Sequence, residues 1–202
     1  MKEAPPPLSQ PALLPYGPSA FSLAAAISLQ QLLSTAQTAK MASGVKVHDD
    51  VKKLFDDMKV VKANCDPGAR CRLVFLGIDG DFIVPCRIIK QCDLDKSGTD
   101  PYDLIVEHLL KEECCYILYD CHYERRDVYK EDLVSIMWAS DQAPIKKKMC
   151  YASSRKALTS TFSGIKYDFQ VNDITELNTR AAFAETLGMV GEMNKLECKC
   201  VD

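Results

Sequence analysis

Cys114–Asp120 reads CCYILYD, and Leu133–Ala139 reads LVSIMWA. Both runs are apolar on successive residues. Successive side chains of a strand point to opposite faces, so each strand is apolar on both sides. Strands of this kind belong in a sheet that is covered on both faces. Upstream, Cys71–Ile78 (CRLVFLGI) is equally continuous. Asp79-Gly80-Asp81 makes a hairpin turn, and Phe82–Ile89 (FIVPCRII) returns from it. Pro85 inside that return predicts a bulge or an edge position.

The covering layers come from helical spacing. Asp49–Lys59 places Val51, Leu54, Phe55 and Met58 on one side, with Asp49 and Asp50 suited to the positive N-terminal dipole. Pro101–Lys111 opens with Asp100 as N-cap and Pro101 at the first position. Gln91–Asp100 reads as a polar loop and Glu124–Asp132 as a charged connection. Thr175–Leu187 reads as a helix with Thr175 as cap and Gly188 as stop, and a short strand is expected around Leu196–Val201. The order is helix, two strands, helix, two strands, long helix, helix and a closing strand. That order defines an α/β (α+β) architecture.

The long helix is Ala143–Lys166, APIKKKMCYASSRKALTSTFSGIK. Pro144 fits its first turn and Gly164 its end. At about 100° per residue, Tyr151, Leu158, Phe162 and Ile165 share one narrow sector, a face laid on a core. Ile145, Met149 and Ala152 fall roughly 150° away by the same rule. Lys146, Lys148, Ser153, Arg155 and Lys156 ring this second set. One apolar face suffices for folding, so a second in a basic setting reads as a partner surface, with Met149 as its adaptable contact. The alternative is a helix buried on both sides.

Composition narrows the function. The chain has 202 residues with 47% hydrophobic content, enough for one domain and a tail, and a net charge of −3, which argues against a dedicated nucleic-acid binder. Ten cysteines are present, but Cys114 and Cys115 are adjacent, and most of the others sit in apolar runs, as free buried cysteines do. That reads as a reducing, intracellular compartment. No C-x-x-C pair supplies zinc spacing, and Cys121 and His122 would point to opposite strand faces, so neither a metal nor a cysteine nucleophile is indicated. P-loop, G-x-G-x-x-G, G-x-S-x-G and H-E-x-x-H patterns are absent. Residues 1–40 are rich in proline and small residues. They match neither a secretory signal nor a transit peptide and read as a disordered extension, with the folded domain at 41–202 and a second start site at Met41.

Several stretches resemble the ADF/cofilin family of actin-depolymerising proteins. They are MASGVKV (Met41–Val47), DMKVVK (Asp57–Lys62), YILYD (Tyr116–Asp120), KEDL (Lys130–Leu133), WASDQAPIKKKMCYASSRKAL (Trp138–Leu158), GIK (Gly164–Lys166) and LNTRAAFAETLG (Leu177–Gly188). The resemblance implies the ADF-homology fold, a central mixed sheet of five or six strands sandwiched between helices. It implies a non-enzymatic, cytoplasmic and cytoskeletal protein that binds actin monomers and filaments, severs and depolymerises filaments, and needs no cofactor. It places the monomer and filament contact at Ser43, Gly44, Lys146, Lys148, Met149, Ser153, Ser154 and Arg155. The filament-only contact falls at Lys130 and Asp132, with Arg126 added. The family's phosphorylated serine corresponds to Ser43, acted on by a kinase and a phosphatase. Phosphoinositide lipids at the membrane surface would meet Lys146, Lys147, Lys148, Arg155 and Lys166.

The chain also departs from the family. Thr159, Ser160 and Thr161 stand where a lysine run is common, and the basic nuclear-import run is missing. Tyr167 replaces a histidine associated with pH response, which implies a flatter pH dependence of severing. The extension would crowd the actin surface unless translation starts at Met41 or the tail is held aside. These departures leave room for a relative that binds actin but severs weakly. A cysteine-dependent redox or hydrolytic enzyme is the reading from a different class.

Overall fold

The computed structural model describes residues 44–60 and 66–201. The extension, Met41 and Ser43 lie outside them. The structure is organised on β4 (Cys114–Arg125), whose first eight residues are all buried. β2 (Cys71–Asp79) and β5 (Val128–Ala139) flank it, both antiparallel, and the sheet runs in the order β1 (Lys46–Val47), β3 (Phe82–Lys90), β2, β4, β5, β6 (Tyr167–Val171). β1–β3 and β5–β6 are parallel pairs, so the sheet is mixed. A C-terminal hairpin, β7 (Met193–Leu196) and β8 (Lys199–Cys200), adds two more strands against the far end of β4. The six-stranded path is the one the ADF-homology fold implies, and the hairpin enlarges it.

The two-sided burial read from CCYILYD is present. Cys115, Ile117, Tyr119, Cys121 and Tyr123 pack with α3 (Pro101–Leu109) and α5 (Arg180–Thr186) through Tyr102, Ile105, Leu109 and Phe183. Cys114, Tyr116 and Leu118 pack on the other face with α1 (Asp49–Lys59) and α4 (Ile145–Thr161) through Val51, Phe55, Met58, Tyr151 and Leu158. Each fully buried large side chain contributes roughly 1.5–3 kcal/mol.

Four expectations are corrected. Gln91–Ser97 is a helix, α2, ended by Gly98 at φ 63°; only Leu94 is buried along it, so it has too little apolar periodicity to read as helical. Glu124–Asp132 is not a connection. β4 and β5 pair through Arg125 opposite Val128, and only Arg126 and Asp127 turn, both at positive φ (50° and 63°). A two-residue turn of this kind matches the strand twist but usually recruits Asn or Gly, so Arg-Asp gave no turn signal. The helix expected over Thr175–Leu187 is a 3₁₀ turn (Ile174–Glu176) followed by α5, capped by Thr179 rather than Thr175; Thr179 Oγ1 accepts from Ala182 N at 3.1 Å. The long helix ends at Thr161 rather than Lys166, and a strand absent from the expected order, β6, begins at Tyr167. Pro85 behaves as expected: the ladder slips beside it, between Phe75–Arg87 and Leu76–Pro85, and β1 pairs only with Phe82 and Ile83.

The hairpin is held by a buried charge. Glu197, in the β7–β8 turn, accepts from Arg72 Nη2 (2.7 and 2.8 Å), Tyr119 Oη (2.6 Å) and His122 N (3.1 Å). Arg72 and Glu197 side chains are only 5% and 8% exposed, so removing Glu197 leaves a buried guanidinium with one of its two carboxylate partners gone. Glu197→Ala is expected to lower stability by about 3 kcal/mol in urea unfolding. A loss under about 1 kcal/mol would mean the pair holds nothing in place.

Candidate functional site

The long helix α4 is shorter than its sequence reading. Pro144 is the N-cap (ψ 134°) rather than the first helical residue, and Phe162 is the C-cap. Gly164, at φ 86°, turns the chain two residues beyond the cap, towards β6. Phe162 and Ile165 nevertheless meet the core, Phe162 stacking on Phe55 with ring centroids 4.7 Å apart.

The buried face of α4 is Tyr151, Ser154 and Leu158. Tyr151 Oη accepts from Ile78 N (3.3 Å), and its carbonyl accepts from Tyr116 Oη (2.5 Å), so the helix is pinned to both β2 and β4. Ser154 is 2% exposed and donates to Cys150 O at 2.7 Å. It offers no surface to a partner, which corrects its place among the contact residues. The helical spacing alone predicts this, because Ser154 is three residues from Tyr151 and four from Leu158.

Among the described residues the opposite face is uncovered. Ile145 is 73% and Met149 63% exposed, and Ala152 and Ser153 are exposed beside them. This excludes the helix buried on both sides. The surrounding cations differ in their commitments. Lys147 pairs with Glu113 (3.0 Å), Lys148 with the carboxylate and carbonyl of Asp141 (3.8 and 3.1 Å), and Arg155 with Asp168 on β6 (3.0 Å). Lys146 and Lys156 are exposed and make no side-chain pair among the described residues. Gly44 is exposed, at the start of the described chain.

The second group lies at the β4–β5 hairpin. Arg126 is held with Arg125 by Glu192, in the segment before β7. Asp132 accepts from Tyr123 Oη (2.5 Å) and from Lys166 Nζ (2.9 Å). Hydrogen bonds to Tyr167 and Asp132 hold the Lys166 ammonium pKa above the ordinary lysine value. Lys166, implied as a lipid contact of the first surface, is therefore tied to the second. Lys130 is half-buried opposite Tyr123. By strand alternation, Lys130 and Asp132 project from the face carrying α3 and α5, away from α4. Val128 (55%) and Tyr129 (58%) are the exposed apolar residues of the tip, and the sequence reading omitted them because it took this stretch for a loop.

Asp120, His122 and Glu131 bring three possible metal donors within 4.8 Å, but Arg70 already bridges both carboxylates at 2.7 Å each. Tyr129 Oη lies 2.8 Å from His122 Nδ1. Burial pushes the thiols of Cys71 (to about 11), Cys86, Cys114, Cys115 and Cys121 up, opposite to what a nucleophile requires. The buried-cysteine reading holds for Cys114, Cys115 and Cys121, whereas Cys71, Cys92 and Cys150 are half-buried and Cys86, Cys198 and Cys200 are exposed. No described helix is long and apolar enough to cross a membrane.

The fold is a mixed sheet between helices, and one of those helices exposes an apolar ridge among lysines. The model of the cofilin/tropomyosin-type actin-binding proteins matches residues 44–187, and the chain belongs to this family. Solved structures agree in fold. A Streptomyces griseoflavus cofilin aligns with TM-score 0.57 at 23% identity, over 71% of this chain and 97% of its own. The ADF-like UNC-60A protein of Caenorhabditis elegans gives 0.57 at 24%, over 72% and 95%. Plasmodium berghei actin depolymerization factor 2 gives 0.56 at 22%, over 74% and 98%.

Ser153 and Ser154 separate the two faces of α4. Ser154→Lys is expected to destabilise by about 2 kcal/mol or more, because it forces a charge among Tyr116, Tyr151 and Leu158. Ser153→Lys is expected to stay within about 0.5 kcal/mol. Equal unfolding midpoints for the two variants would contradict the assignment.

Proposed function

We propose that this protein binds actin monomers and filaments through the exposed face of α4, and severs and depolymerises filaments by engaging a second subunit through the β4–β5 hairpin. The supporting observation is the outward ridge of Ile145 and Met149 on a helix whose other face is pinned to the sheet. A rigid helix with an apolar tip suits a hydrophobic cleft, and Lys146 and Lys148 beside it suit acidic rims. Gly44 and Ser153 complete the contact, with Ser43 beyond the described residues; Arg155, implied as a contact by the family resemblance, is committed to Asp168, and Ser154 is buried.

Filament action needs two surfaces, and the two groups project from opposite layers of the sheet. Lys130, Asp132 and Arg126 form the second. The ion pairs of Asp132 and Arg126 hold that tip in one shape, while their exposed edges cost little to rearrange. The working energy comes from actin's own nucleotide turnover, since no bond is made or broken by this chain.

Regulation follows from charge. A phosphate on Ser43, next in sequence to Gly44, adds about −1.5 to −2 charges, which weakens docking on acidic groups of the partner. Anionic phosphoinositide headgroups compete for Lys146, Lys147, Lys148 and Arg155. Lys166 joins them only by releasing Asp132. The reading with weak severing rests on Thr159–Thr161, which leave the end of α4 without cations.

In cosedimentation and filament-turnover assays, Lys146→Ala with Lys148→Ala is expected to weaken monomer and filament binding at least tenfold, about 1.4 kcal/mol. Lys130→Ala with Asp132→Ala is expected to spare monomer binding and abolish filament binding. Normal severing by both double variants would refute the two surfaces.

A further inference from the structure

Arg155 and Lys156 are neighbours in sequence but face different ways. With 3.6 residues per turn, Lys156 lies two turns beyond Met149 and only roughly 20° from it around the helix, whereas Arg155 lies roughly 120° away. The structure agrees with this geometry: Arg155 reaches Asp168 on β6 at 3.0 Å, while Lys156 is exposed and unpaired among the described residues. Beyond Lys156 the helix offers no further charge. The hydroxyls of Thr159, Ser160 and Thr161 bond back to the carbonyls of Arg155, Lys156 and Ala157 at 2.7–3.3 Å.

Resting on the actin-binding reading above, we propose that Lys156, and not Arg155, is a further basic contact of the docking ridge beside Lys146 and Lys148, meeting an acidic group on actin about two helical turns from Met149. It takes the place of the cations missing at Thr159–Thr161, one turn closer to the apolar tip. Lys146 and Lys156 then bracket Met149 as the two cations of the ridge that need not abandon an internal partner. Arg155 is a positioning residue, which ties the middle of α4 to β6 and so fixes the direction of the ridge. The sequence held the signal, the i to i+7 relation of Met149 and Lys156, but adjacency to Arg155 concealed which of the two faced outward.

The test uses the full chain and actin at moderate salt. Lys156→Glu is expected to weaken actin binding at least tenfold with its unfolding midpoint unchanged, while Arg155→Gln weakens binding less than threefold. Equal binding by Lys156→Glu and wild type would overturn the proposal, as would an equal or larger loss in Arg155→Gln. Loss of binding to phosphoinositide-containing vesicles by Lys156→Glu, with actin binding intact, would also overturn it and assign the ridge to lipid. Failure of the wild-type chain to bind actin at all would instead defeat the underlying functional reading.

Discussion

Everything in this structure depends on β4 being buried on both faces. From Cys114 to Cys121 it has no solvent side, so both its odd and its even residues need a helical layer above them. One layer is α3 and α5; the other is α1 and α4. Because α4 is an outer element with a single sheet beneath it, only one stripe of its surface can be satisfied internally. The exposure of Ile145 and Met149 is therefore a residue of the architecture that folding itself does not require, and in such a position a partner is the natural explanation.

The pinning of α4 decides how well that ridge can work. Tyr151 ties α4 to the sheet twice, its hydroxyl accepting from Ile78 N and its carbonyl accepting from Tyr116 Oη, and Arg155 adds an ion pair to β6. A ridge fixed in this way loses little conformational freedom on docking, which favours affinity through preorganisation rather than area. The β4–β5 hairpin follows the same logic. It is held by Glu192 at its tip and by the Asp132–Lys166 pair further along β5, so this end of the sheet is a shaped strand end and not a floppy loop.

The sheet and its two covers were legible because continuous apolar runs report two-sided burial directly, as CCYILYD does. The outward face of α4 was legible for the same kind of reason, since two apolar sets at different helical angles cannot share one core. Other features were hidden by specific physics. Strand residues at the hairpin are paired but solvated, so their charges mimic a loop. α2 buries only Leu94 and so has no periodic signature. Ser154 carries a hydroxyl that suggests surface, yet its spacing from Tyr151 and Leu158 makes it core. The role of Lys156 became visible only once Arg155 was seen to be committed to Asp168.

The central claim is that the Met149 ridge of α4 is covered by actin. Met149 is 63% exposed, whereas Met58 and Met137 are 3% and 1% exposed, so the same chain holds its own internal references. Hydroxyl-radical or peroxide footprinting, read by mass spectrometry with and without saturating actin, measures this directly. The account predicts rapid oxidation of Met149 in the free protein, strong protection when actin is bound, and slow oxidation of Met58 and Met137 in both states. Bound actin that leaves the oxidation of Met149 unchanged would contradict it.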